Sequence, residues 1–168
     1  MAKSKTAADK AAAKDVAEPE ILTTTELVSL AKKRLPEAAW EFIVGGAETE
    51  TTMIRNRHAL DSIAFRPRVL RNVEAASPTT TFLGVKQRMP VLLAPIASMT
   101  DVDLEGALPV ARAAAEFGCL MLVSSVTQPP FEEVARAAGE QFALQLYADG
   151  DEKWLVDTAK RAAHAGAK

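Results

Sequence analysis

From Met89 onward the chain alternates short, wholly apolar runs with longer amphipathic stretches. Val91-Leu92-Leu93-Ala94-Pro95 is the first run. A helix is predicted after it, from about Glu105 to Phe117, stopping at Gly118. Leu120-Met121-Leu122-Val123 is the second run, followed by a predicted helix from Phe131 to Ala138. Phe142-Ala143-Leu144-Gln145-Leu146 is the third, followed by a helix from about Glu152 to Ala165. Leu155, Thr158, Ala159, Ala162, Ala163 and Gly166 fall near one side of that last helix, small or apolar as packing against a sheet requires. Strands apolar on both faces that alternate with helices imply parallel βαβ units.

The first ninety or so positions show no such repeat. Thr24 or Thr25 is placed to cap a helix that Pro36 ends. Pro36 also suits the start of a second helix, Glu37 to Val44, which stops at Gly45-Gly46. A third helix is predicted from about Glu48 to Ile63, with Met53, Ile54, Leu60 and Ile63 on one face. Arg66-Pro67-Arg68 then breaks helicity. Residues 79–87 read as a short extended pair around a turn at Gly84.

Composition narrows the partners rather than the fold. Twenty basic against 22 acidic residues, a net charge of -2, give no electrostatic reason for a nucleic-acid partner. No run approaches the roughly 18 apolar residues of a membrane span. The first 20 positions alternate alanine with charge, lack an apolar signal core and carry Asp9, Asp15, Glu18 and Glu20. They read as a disordered tail, residues 1–20, on a cytoplasmic protein. The lone Cys119 lies inside an apolar run, which makes it a buried small hydrophobe rather than a reactive thiol. Two isolated histidines, His58 and His164, offer no metal-ligand spacing, so no metal is expected.

In parallel α/β arrangements ligands gather at the carboxyl ends of the strands. Those ends carry Pro95-Ile96-Ala97-Ser98, Ser124-Ser125, and Gln145 with Tyr147. Polar residues also end strands for no chemical reason. Three such ends in succession favour a ligand, and serine with glutamine suits a flat heteroaromatic ring bearing both donors and acceptors.

The order Trp40-Glu41-Phe42-Ile43-Val44-Gly45-Gly46-Ala47, Asn56, then Phe65-Arg66-Pro67-Arg68-Val69-Leu70 resembles the FMN-dependent α-hydroxy-acid dehydrogenase and oxidase family, the glycolate oxidase-like and L-lactate oxidase or dehydrogenase-like enzymes. The likeness continues through Thr79-Thr80-Thr81, Leu83-Gly84, Ala94-Pro95-Ile96-Ala97, Glu105-Gly106, Ser124-Ser125, Glu132-Glu133-Val134 and Gln145-Leu146-Tyr147. It implies an α/β fold over 21–168: part of a (β/α)8 TIM barrel, about three βα units, preceded by an N-terminal helical cap and the short hairpin. A complete barrel takes about 250 residues, so the chain is expected to hold a truncated barrel. The resemblance further implies FMN as cofactor, with Ile96, Ala97, Ser124 and Gln145 on the flavin and Phe42 and Tyr147 on the substrate side. The implied reaction oxidises a small 2-hydroxy acid, L-lactate- or glycolate-like, to the 2-oxo acid, with oxygen or an electron carrier as the final acceptor.

Departures bear on the substrate more than on the flavin. Phe42 stands where the family usually has a tyrosine, Val126 where a bulky aromatic is frequent, and Asp103 where histidine is frequent. The family's histidine base belongs to a later strand, and neither His58 nor His164 is assigned its role, so no catalytic residue is named. The alternative is a truncated, non-catalytic relative that acts as a subunit or interaction partner. A homo-oligomer is left open. An isomerase on a related flavin-dependent barrel is disfavoured by Arg66-Pro67-Arg68 with upstream Gly46-Ala47.

Overall fold

A computed structural model describes residues 21–168, so the tail expected over 1–20 lies outside the described residues. The chain divides at Gly45 into two units. The first contains helices α1 (Thr24–Arg34) and α2 (Glu37–Val44). The cap of α1 is Thr23, one residue before the expected pair. The Thr23 hydroxyl accepts the Glu26 N–H at 3.3 Å, and the Glu26 carboxylate accepts the Thr23 N–H at 2.8 Å. A glutamate three residues on makes Thr23 the better cap, because two orphan donors are satisfied reciprocally. Backbone N–H groups of Leu22 and Thr23, then the Thr23 hydroxyl, hold the Glu26 carboxyl below its usual range.

The second unit begins with α3 (Thr51–Asp61), shorter at both ends than expected. Glu48 and Glu50 have φ of 50° and 57°, a left-handed backbone no α-helix accommodates, so the helix starts only after them. Its apolar residues Met53, Ile54 and Leu60, and Ile63 beyond its end, remain exposed. The expected hairpin is present. Strands β1 (Thr80–Phe82) and β2 (Val85–Gln87) pair antiparallel, with Phe82 opposite Val85. Gly84 takes the φ of +75° that the turn requires.

Two parallel strands form the centre, β3 (Met121–Ser124) and β4 (Phe142–Gln145), with Met121 opposite Phe142 and Ser124 opposite Gln145. The run Val91 to Pro95 is not a full strand. It joins the sheet through one parallel bridge, Leu93 with Met121. The prolines explain this: Val91 N–H turns back to the Met89 carbonyl at 2.8 Å, and Pro95 has no N–H to give. Leu93 alone exchanges bonds with the neighbouring chain, donating to Leu120 at 3.0 Å and accepting from Leu122 at 2.9 Å.

Helices α4 (Leu108–Phe117), α5 (Phe131–Ala138) and α6 (Glu152–His164) follow the three runs in turn. The α5 bounds are those the sequence predicts. α4 starts three residues later than expected, because Gly106 has a φ of +60° and turns residues precede the helix. Ala111 and Ala114 of α4 and Phe131, Val134, Ala135 and Ala138 of α5 are buried with Met121, Val123 and Phe142 in one core. On α6 only Thr158 and Ala162 of the expected face are buried, a narrow i, i+4 stripe, with Leu155 half-buried and Ala159, Ala163 and Gly166 exposed. Arg161 of α6 ties to Glu132 of α5 through Nε at 2.7 Å and lies over the Phe131 ring at 5.0 Å.

The opposite face of the sheet gathers Leu120 and Ala143 around Val85 of the hairpin, with Leu92 and Leu122. Gln87 Oε1 accepts the Leu120 N–H at 3.2 Å, and Arg88 N–H donates to the Gly118 carbonyl at 2.9 Å. The hairpin is thereby seated at the amino ends of the strands.

Two consequences are measurable. A Cβ at Gly106 would lie 2.1 Å from the Gln128 carbonyl oxygen, on a backbone that L side chains rarely adopt. Gly106→Ala is therefore expected to destabilise the fold by at least about 1–2 kcal/mol in denaturant unfolding; an unchanged midpoint would refute the packing of these two loops. Burial pushes the Cys119 thiol up from its usual range. It should modify with an aromatic disulfide reagent only on unfolding, and rapid labelling of the native protein would contradict its place in the core.

Candidate functional site

Alternation along each strand sends successive side chains to opposite faces. In β3, Met121 and Val123 face the helices, while Leu122 lies on the hairpin side. Ser124 therefore falls on the Leu122 side, at the carboxyl end. In β4, Phe142 and Leu144 pack with the helices and Ala143 with the hairpin side, which puts Gln145 on that second side too. Since Ser124 and Gln145 are partners in the ladder, the structure brings these two residues side by side on one face.

Their chemistry is complementary. The Ser124 side chain is buried, and its Oγ accepts the Val126 N–H at 3.4 Å, which leaves its own proton to donate. Gln145 is half-buried. Among the described residues no side-chain partner engages its amide, so a donor and an acceptor stay available at the carboxyl end of the sheet. Ile96 and Ala97 reach the same end. They stand three and four residues past Leu93, whose bridge partner Met121 stands three residues before Ser124. Ile96 is exposed and Ala97 half-buried. Directly after them Ser98 has a φ of 55°, turning the chain into the short 3-10 segment Met99–Asp101.

Tyr147 lies two residues past β4 and is about half exposed. Its N–H donates to Ser125 Oγ at 3.1 Å, and Ser125 N–H donates to the Gln145 carbonyl at 2.8 Å. Val126 is exposed beside this rim. Asp103 accepts the Glu105 N–H at 2.8 Å, a local turn bond. Phe42 sits on α2 in the first unit and is exposed there. The sequence pairs Ser124 with Ser125 at this strand end, and the family resemblance assigns the flavin to Ser124. Neither reports the bond from Ser125 to Tyr147, which spans 22 positions and leaves no trace in local pattern.

A cleft lies elsewhere, among the described residues. About 690 Å³ between α5 and α6 is lined by Glu132, Arg136, Lys160, Arg161, His164 and Ala165. Arg136 and Arg161 occupy the last turns of the two helices, where they complement the helix dipoles, and Arg161 is already paired with Glu132. The helix ends lead to the amino ends of the strands, away from Ser124 and Gln145. His58 and His164 both sit on helices and are exposed. Among the described residues no cluster of three or more His, Cys, Asp or Glu is disposed to hold a metal, and no helix is long and apolar enough to cross a membrane.

Known proteins resemble this chain. The sequence profile described as FMN-dependent dehydrogenase matches residues 31–168. Glycolate oxidase 1 of Zea mays is 39% identical over 149 residues, covering 89% of this chain and 40% of that protein. An L-lactate dehydrogenase of Caulobacter vibrioides is 39% identical over 147 residues, covering 88% of this chain and 38% of that protein. A crystal structure of mandelate oxidase with benzoyl-formic acid superimposes with a TM-score of 0.85 at 31% identity, covering 89% of this chain and 44% of that one. The chain thus spans about two-fifths of the length of the relatives it matches. The profile covers far more than half of the 168 residues, and the chain belongs to the FMN-dependent dehydrogenase family.

Proposed function

We propose that this chain supplies the first part of the flavin and substrate site of a 2-hydroxy-acid oxidase or dehydrogenase. In this reading residues 91–168 are about three βα units of a (β/α)8 barrel, with the β1–β2 hairpin at its amino-terminal end. One observation carries the proposal: Ser124 and Gln145, adjacent in the parallel ladder, present a hydroxyl donor and a spare amide on one face at the carboxyl end of the sheet. That donor and acceptor set fits the polar edge of an isoalloxazine ring.

The residues divide the work. Ser124 and Gln145 hydrogen-bond the ring, and the backbone at Ile96 and Ala97 runs alongside it. Small Ala97 permits close approach, as a flat ligand against a chain requires. Tyr147 faces the substrate, and the family resemblance gives Phe42 of α2 a substrate-side role as well. Phe42 offers bulk but no hydroxyl, so any carboxylate bond made by a tyrosine at that position is lost here. When bound, FMN supplies the acceptor for the two electrons removed from the hydroxy acid, and oxygen or an electron carrier takes them onward. Neither His58 nor His164 stands at a strand end, so within these residues no histidine is assigned the hydroxyl proton. The substrate class is a small 2-hydroxy acid, L-lactate- or glycolate-like.

The test is flavin content and reduction. The protein purified from its native cells is expected to carry FMN, and glycolate, L-lactate or mandelate should bleach that flavin in the absence of oxygen. Gln145→Leu should weaken FMN binding by about tenfold, the scale of one lost hydrogen bond near the ring. A native protein without flavin, or a Gln145→Leu variant with wild-type affinity, would overturn the assignment.

A further inference from the structure

We propose that Ser125 is a positioning residue: its hydroxyl holds the Tyr147 backbone at the rim of the site and so sets where the phenol stands. The inference deepens the function proposed above and rests on it for the role of Tyr147. It starts from a break in the ladder. Ser125 N–H donates to the Gln145 carbonyl at 2.8 Å, the last regular rung between the two strands. In a parallel ladder the next bond would run from Tyr147 N–H to the Ser125 carbonyl. Here that N–H goes instead to Ser125 Oγ at 3.1 Å. A side chain has replaced a main-chain acceptor, and β4 ends at Gln145 because of it.

The substitution has a mechanical effect. Tyr147 is about half exposed and belongs to neither core cluster, so burial does not fix its ring. The residues after it run without regular structure to Asp151, which caps α6. The Ser125 hydroxyl is thus the anchor between the end of β4 and that cap. Ser125 also lies on the opposite side of the strand from Ser124, by the alternation that places Ser124 with Leu122. The adjacent serines therefore have separate tasks: Ser124 addresses the ring, and Ser125 addresses the neighbouring backbone. Side-chain chemistry narrows the choice of residue. Threonine keeps an oxygen at the same reach, whereas alanine leaves the Tyr147 N–H to water.

Tyr147 is the one tyrosine of these 168 residues, so a nitrogen-15 tyrosine label places a single amide reporter in them. In the wild-type protein the Tyr147 amide should exchange at least about tenfold more slowly than a free peptide amide, as a made hydrogen bond requires. Ser125→Ala should remove most of that protection, and Ser125→Thr should restore it. In flavin-loaded enzyme, Ser125→Ala should raise KM for the 2-hydroxy acid by roughly fivefold, with flavin content unchanged and Ser125→Thr close to wild type. An unprotected Tyr147 amide in the wild type, or an alanine variant with wild-type exchange and KM, overturns the proposal. So does an alanine variant that loses flavin while keeping its KM, since Ser125 would then act on the ring. The wild-type exchange measurement decides the anchor even if the alanine variant does not fold. A wild-type protein that binds flavin but oxidises no 2-hydroxy acid would sink the proposed function on its own account, while the exchange result still reports the anchor separately.

Discussion

The parallel pairing of β3 with β4 sets everything that matters for the site. Met121 opposite Phe142 fixes which side chains meet the helices, and three positions further along it fixes Ser124 opposite Gln145. The period of a strand is two, so a slip of one residue would turn Phe142 out of the core and Gln145 into the helices. Fully buried Phe142, Met121 and Val123 make that slip costly, because each loses its transfer free energy and leaves a void. The register that sets Ser124 beside Gln145 is thereby enforced by hydrophobic packing at the other end of the same strands. The hairpin adds to this: Val85 packs with Leu120 and Ala143, and Gln87 bonds the Leu120 N–H, so it is fastened at the amino ends, away from Ser124 and Gln145.

Much of this was legible in the sequence. Continuous apolar runs separated by amphipathic stretches identify parallel units, and they located α5, α6, β3 and β4 to within a residue or two. Where the elements depart from the hydrophobic pattern, single backbone angles are responsible. Left-handed Glu48 and Glu50 delay α3, and Gly106 delays α4. Nothing in hydrophobic periodicity reports the sign of φ at a glutamate. The strand expected at 91–95 shrinks to one bridge because prolines flank it, a signal present in the sequence but outweighed by five apolar residues in a row. Thr23 against Thr24 or Thr25 was a similar choice, decided by the position of Glu26.

The candidate site divides the same way. Ser124, Gln145, Ile96 and Ala97 emerge from the pattern because strand ends are visible in it. The fold then supplies their adjacency, which no local pattern contains. Ser125 illustrates the opposite case, since its importance depends on a bond across 22 positions that only the sheet creates. Phe42 belongs to the separate first unit and enters the proposal through family resemblance. The α5–α6 cleft measures about 690 Å³, yet most of its charges are accounted for by helix termini and one ion pair. Size alone is a poor guide to chemistry here.

The most direct test is where FMN touches this chain. Hydrogen–deuterium exchange of the native protein, with its flavin and after the flavin is stripped, resolves that by segment. Slower exchange with FMN at residues 95–98, 124–127 and 145–147 is the expected result. Protection confined to the α5–α6 cleft around Arg136 and Lys160, or none in any of the three strand-end segments, would contradict the account.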